Sequence, residues 1–206
     1  MTTTKKAQIL QEHVPIAGGK VHGVTFDGAL VWYARDEEIV GFDPETKEVK
    51  KRLSVPAQAG TAFDGENLYQ LADEQIFVVR PSDGKVLRRI PFPGHCSGMA
   101  WADGYLWIGQ YRASKIHKVD AKTGAIVKTL SSDRFVTGVS VVDGKLWHGV
   151  SDDGPSEIRR LADDGTVEEA IVFQDETVHV AGIEGDGRGG FWCGGEAGKL
   201  RYVRAS

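Results

Sequence analysis

Four residues in this sequence combine reactive side chains with a shared position, namely His22, His95, His179 and Glu184. His22 directly precedes Gly23, His95 lies three residues before Gly98, and His179 lies three residues before Gly182. A neutral imidazole ligates transition metals and also serves as a general base near neutral pH. Glu184 follows Gly182 by two residues, and a carboxylate placed there is costly to bury unless it is paired, metal-bound or wetted. Two chemistries suit this set. In the first, a divalent metal ion held by His95, His179 and Glu184 polarises a carbonyl while a free histidine moves the proton. In the second no metal takes part, and His22, His179 and Glu184 act as acid and base. Arg35, Gln110, Tyr111 and Glu196 are the expected substrate contacts around them, with Arg112, Asp152 and Asp153 in the same loops. Cys96 adjoins His95 and adds a candidate thiol. Against these readings, each side chain also fits a solvated loop end or an ion pair. No Walker loop, dinucleotide fingerprint, HExxH, CxxC or GxSxG occurs in the chain.

The elements that must position these residues form a repeat. The segments "GVTFDGALVWYA", "GTAFDGENLYQLA", "GMAWADGYLWIGQ", "GVSVVDGKLWHGV" and "GIEGDGRGGFWCGG" share a glycine, an Asp-Gly pair and then an aromatic. Their leading glycines are Gly23, Gly60, Gly98, Gly138 and Gly182, spaced 37, 38, 40 and 44 residues apart. Each unit continues with a polar loop, an alternating segment such as "KIHKVD", a turn such as "AKTGA", and a further alternating segment. Asp-Gly between two alternating runs signals a hairpin, and turn residues separate the rest. Four antiparallel strands per unit of about 40 residues predict a β-propeller blade. The expected fold is therefore all-β, a five-bladed propeller spanning residues 1–206 as one domain. The fifth unit holds only three strands, so the N-terminal "KKAQILQEHVPI" is expected to supply its outer strand and close the ring.

This frame separates packing from chemistry. Trp32, Tyr69, Trp107, Trp147 and Trp192 share one repeat column, which reads as packing between blades. His148, His117 and His13 fall inside strands and read as structural. The Asp-Gly turns lie at the opposite end of the central channel from His22, His95 and His179, so their carboxylates serve the turns. At the histidine end the longest loops are "QYRASK" and "SDDGPSE".

Composition narrows the partners. The 206 residues are 41% hydrophobic and 26% charged, with a net charge of -4, which argues against nucleic acid or an anionic membrane as partner. "MTTTKKAQILQEHV" has no apolar core, so no secretory signal is expected. A cytoplasmic location and reduced Cys96 and Cys193 follow as expectations.

The segments "HGVTFDGALVWYA" and "HCSGMAWADGYLWIGQYRASKIHKVDAKTGAIVKTL" resemble blades of the streptogramin (virginiamycin B) lyases. That resemblance implies a channel-mouth metal held by His and Glu, and a catalytic His that opens a lactone by elimination. Members of that family have seven blades, against five repeats here. The segment "ENLYQLADEQIFVVRPSDGKVLRRIPFPG" is similar to the second blade of the five-bladed glutaminyl cyclases of bacteria and plants. Leu68, Tyr69, Gln70 and Leu71 match that family, whereas Ala72 and Asp73 replace its Thr-Trp, and "PGHCSGMAW" stands where it has Gly-Glu-Gly-Trp. This second resemblance implies metal-free acyl or cyclisation chemistry. The leading expectation is a metal-assisted lyase or hydrolase acting on a small molecule. The alternatives are a cyclase-like enzyme without metal and a propeller that only binds a ligand or protein.

Overall fold

The computed structural model describes residues 2–206. It opens with strand β1, Thr3–His13. Blade one then comprises β2 (Val24–Phe26), β3 (Val31–Arg35), β4 (Glu38–Asp43) and β5 (Glu48–Leu53). Blade two comprises β6 (Thr61–Phe63), β7 (Leu68–Ala72), β8 (Gln75–Val79) and β9 (Val86–Pro91). Blade three comprises β10 (Cys96–Ala102), β11 (Tyr105–Gln110), β12 (Lys115–Asp120) and β13 (Ile126–Ser131). Blade four comprises β14 (Val136–Val142), β15 (Lys145–Val150), β16 (Glu157–Leu161) and β17 (Val167–Val172). Blade five takes β18 (Ile183–Gly185), β19 (Gly190–Gly194) and β20 (Leu200–Ala205) from the C-terminal end and β1 from the other. No helix is long and apolar enough to cross a membrane.

The glycine column sets how closely the blades approach the axis. A Cβ on Gly138 would stand 2.5 Å from Ile183 N, and one on Gly182 would stand 2.6 Å from His22 O. Likewise, Cβ atoms on Gly23, Gly60 and Gly98 would overlap backbone at Thr61, Met99 and Val139 respectively. The five glycines thus form a closed ring of backbone contacts, each blade against the next, and only a residue without Cβ fits there.

Outside this ring the core is divided among the five seams between blades. Trp32 packs with Leu68 and Phe77 of blade two, and Tyr69 packs with Met99 and Ile108 of blade three. Trp107 lies against the cluster of Val136, Val139 and Leu146. Trp147 joins Ile183 and Phe191, and Trp192 joins Val24, Tyr33 and Phe42 across the closing seam. The aromatic column is therefore packing, one ring per seam. The Asp-Gly turns are framework too. Asp27 Oδ1 accepts the Ala29 and Leu30 N–H groups at 2.8 and 2.7 Å, and Asp27 Oδ2 accepts Trp32 Nε1–H at 2.6 Å. His148 is fully buried and His117 nearly so, while His13 lies 5.1 Å from the Phe42 ring. All three are structural, as their positions inside strands predict.

Ring closure involves a further pairing. Residues Ala7–His13 of β1 run antiparallel to β20, as expected of an outer strand. Residues Thr3–Lys6 run parallel to Glu169–Val172 of β17, the outer strand of blade four. One strand therefore joins two blades, and a register shift between Ile9 and Gln11 lies within its run along β20.

Candidate functional site

A cavity of about 290 Å³ opens at the histidine end of the channel, and every blade lines it. Blade one and its lead-in contribute Lys20 and His22, blade two Gln58, and blade three Cys96, Ser97 and Tyr111. Blade four contributes Thr137 and Ser151, and blade five His179 and Glu196. These residues lead into innermost strands, lie at the start of them or follow second strands, and five-fold repetition carries such positions to one rim.

Local structure fixes the two imidazoles. His22 N–H donates to Ala34 O at 3.0 Å and Ala34 N–H returns to Gly23 O at 2.9 Å, so His22 is anchored at the head of its hairpin. Its Nε2 lies 2.9 Å from Asp36 Oδ1. Asp36 occupies the turn after β3 with φ of 51°, a conformation that Asp tolerates better than most residues. His179 sits at the end of a loop held by Asp175, which accepts Thr177 N–H at 2.9 Å. The buried Ser156 hydroxyl donates to Val178 O at 2.6 Å and pins the residue before the imidazole. His179 Nδ1 then lies 3.2 Å from Ser151 Oγ. Tyr111 OH donates to Ser151 O at 3.1 Å and ties blade three to blade four. At the rim Lys20 Nζ and Glu196 Oε1 form an exposed ion pair at 3.1 Å.

Of the residues singled out by sequence, His22, His179, Tyr111, Glu196 and Cys96 line this cavity, whereas His95, Arg35, Gln110, Glu184, Arg112, Asp152 and Asp153 do not. His95 lines an adjoining cleft with Asp73, Glu74 and Phe92 between blades two and three, which shares Gln58, Ala59 and Cys96 with the cavity wall. The cavity wall of blade three is taken instead by the next two residues, Cys96 and Ser97. Arg35 was expected to contact substrate. Instead its guanidinium donates to Ala17 O at 3.1 Å and to Glu38 Oε1 at 3.3 Å, bracing the lead-in to blade one. Gln110 was expected there too, but its Oε1 lies 3.2 Å from His117 Nε2 within its own blade. Glu184 lies past the glycine ring from the cavity, and its carboxylate accepts the Thr25 hydroxyl at 3.3 Å and the Ser140 hydroxyl at 3.0 Å. Burial pushes this carboxyl up to about 8 against those hydrogen bonds.

A metal centre of His95, His179 and Glu184 is not assembled. The three lie in different places, and the described residues contain no group of three or more His, Cys, Asp or Glu side chains able to hold an ion. These three side chains do not form a donor set for a metal ion. Cys96 reaches the cavity wall, but burial raises its thiol to about 11, which disfavours the reactive thiolate. Both cysteines are free.

Sequence reasoning missed Lys20, Asp36, Gln58, Ser97, Thr137 and Ser151. Ser151 had a signal, since it opens "SDDGPSE", one of the two longest loops at this end.

No protein-family model and no curated protein matches the chain by sequence. Its architecture does match solved structures. The WD40 β-propeller domain of Doa1 aligns over 89% of this chain and 63% of its own, at 15% identity and a TM-score of 0.59. The Cps50 (Swd1) β-propeller domain of Myceliophteria thermophila aligns over 97% of this chain and 100% of its own, at 11% identity and a TM-score of 0.63. The glutaminyl cyclase of Myxococcus xanthus aligns over 100% of this chain and 99% of its own, at 17% identity and a TM-score of 0.83. At these identities the likeness concerns fold, and the fold of this chain is a β-propeller similar from end to end to a bacterial glutaminyl cyclase.

Proposed function

We propose that this protein is an enzyme that carries out metal-independent acyl transfer or cyclisation on a small polar molecule held in the channel mouth. The observation that carries the reading is the placement of two oriented imidazoles in one cavity. His22 is held through Nε2 by Asp36, and His179 is held through Nδ1 by Ser151. A carboxylate beside an imidazole fixes its tautomer and orientation for proton transfer. A hydroxyl beside an imidazole has an acceptor for its proton, which suits a base. The pair thus provides proton removal on one side of the mouth and proton delivery on the other. The polar lining from Lys20, Gln58, Ser97, Tyr111 and Glu196 suits a small molecule carrying both charge and hydrogen-bonding groups. End-to-end likeness to a glutaminyl cyclase supports testing closure of an amine onto an acyl carbon before other members of this class.

The test is turnover of peptides with N-terminal glutamine and of small amides, esters and lactones. His22→Ala and His179→Ala should each lower kcat by about 10²–10⁴-fold. His95→Ala should lower kcat by less than about 10-fold, because that residue lines the adjoining cleft and not the cavity itself. A chelator should have no effect. Loss of turnover on chelation, or with His95→Ala, would restore a metal mechanism. Ligand binding without turnover dependent on either imidazole would make the mouth a binding site and remove the enzymatic reading.

A further inference from the structure

We infer that Ser151 is a nucleophile in this mouth, so that the acyl group passes through an ester on Ser151 Oγ. The inference rests on the proton-transfer reading of the cavity and adds a covalent step to it.

Ser151 Oγ lies 3.2 Å from His179 Nδ1, and both residues line the cavity. The buried Ser156 hydroxyl has Ser151 Oγ at 3.1 Å and Val178 O at 2.6 Å as acceptors for its one proton. The base beside the Ser151 hydroxyl is the His179 imidazole. The Ser151 main chain is held as well, since Tyr111 OH donates to Ser151 O. Two fixed loops meet here, the one between β15 and β16 and the one leading into β18. Ser156 spans them through Val178 O and also receives Val180 N–H at 3.4 Å. A hydroxyl and an imidazole held within reach by separate, braced loops form the arrangement that activates a serine.

As Ser151 Oγ attacks an acyl carbon, its proton moves to His179 Nδ1 and a C–O bond forms. The C–N or C–O bond to the leaving group breaks, and that group departs with the proton from His179. Water, or an amine elsewhere on the same molecule, then attacks the ester. Its proton passes through His179 to Ser151 Oγ as the ester bond breaks, releasing an acid or a cyclised product. His22, held by Asp36 of its own blade one, lines the same cavity and is assigned to assist departure of the leaving group.

The experiment uses the full chain with p-nitrophenyl acetate as acyl donor and a fluorophosphonate as trap, read by intact mass and peptide mapping. The tryptic peptide Leu146–Arg159 contains Ser151 and Ser156, and fragmentation separates them. One adduct per chain on Ser151 is expected, absent in Ser151→Ala and formed at least about 100-fold more slowly in His179→Ala. Mapping on the unaltered chain requires no variant, so it decides even where Ser151→Ala fails to fold. An adduct on Ser156, Tyr111, Lys20 or Cys96 instead would overturn the inference. So would turnover that depends on His22 and His179 but survives in Ser151→Ala without an adduct, and that result leaves the acid–base reading standing. Turnover indifferent to both imidazoles would instead remove the acid–base reading, and the inference with it.

Discussion

Glu184 occupies a column whose other members are Thr25, Ala62, Ala100 and Ser140. The sequence marks it as an exception to small residues near the axis. That departure is real, but its position relative to the cavity depends on the glycine ring, which no single segment reveals. Its carboxyl is met only by hydroxyl and backbone donors, with no cation opposite it among the described residues. Burial therefore dominates, and the group titrates near 8 rather than at its ordinary 4.5. The folded state thus holds a proton that the unfolded chain releases earlier. Stability is fullest below the unfolded value and falls as pH rises through the window from 4.5 to about 8, levelling above it. The slope in that window is at most about 1.4 kcal/mol per pH unit. Glu184→Gln should abolish it, so the variant should gain on the parent in Tm from pH 5 to 8. Equal pH profiles of Tm for the two proteins would show the carboxyl to be ionised and solvated. Other residues lay beyond sequence reading for a related reason. Arg35 and Gln110 have the side chains of ligand contacts, yet Glu38, Ala17 O and His117 capture them first.

At the scale of elements, the fold was legible because each blade repeats the same local instructions. Asp-Gly turns, alternating strands and the aromatic column are short-range signals, and they hold in all five units. Much of the site was legible through the same register, since the residues just before the column glycines, His22, Ala59, Ser97, Thr137 and Ala181, all line the cavity. Three residues before the glycine the register no longer decides, and His179 reaches the cavity whereas His95 falls in the adjoining cleft. Ser151 was obscured because loops carry no periodicity to set one residue apart. The glycine column offers a direct test of the ring. Gly98 has no left-handed φ that would require glycine, so its role is the close approach to Gly138 and Val139. Gly98→Ala forces backbone against backbone, and the cost should exceed the usual ~1–3 kcal/mol of overpacking because main chain yields less than side chains. Gly104 lies in a hairpin turn with open space around it but φ of 83°, so Gly104→Ala should cost only about 1–2 kcal/mol of backbone strain. Urea denaturation of both variants checks the order. A Gly98→Ala protein as stable as the parent would mean that the blades do not press together at the axis.

For the whole molecule, the decisive element is β1, because it turns four complete blades and one partial blade into a ring. Its two halves have separate tasks. Thr3–Lys6 completes an eight-stranded sheet by pairing with β17 of blade four, and Ala7–His13 covers β20 of blade five. Ion pairs mark both halves, with Lys5 at 2.7 Å from Glu169 and Glu12 between Arg201 and Lys199 at 2.8 and 3.0 Å. Burial alone would raise the Glu12 carboxyl, but hydrogen bonds from Lys199 and Arg201 outweigh it and hold the group below its ordinary range. Removing residues 1–16 exposes the edges of β17 and β20 at once, and unpaired edges recruit strands from other chains. The truncated protein should therefore lose more than one strand's contribution, melting well below the parent and associating as concentration rises. A synthetic peptide of residues 2–16 should restore Tm and the parent's elution volume when added in excess, since it binds only the folded ring. Because His22 and Lys20 enter the mouth directly after this closure, the peptide should restore turnover in parallel with Tm. Recovery of Tm without turnover would separate closure from the site, and an unchanged Tm in the truncated protein would show that the ring holds without its clasp.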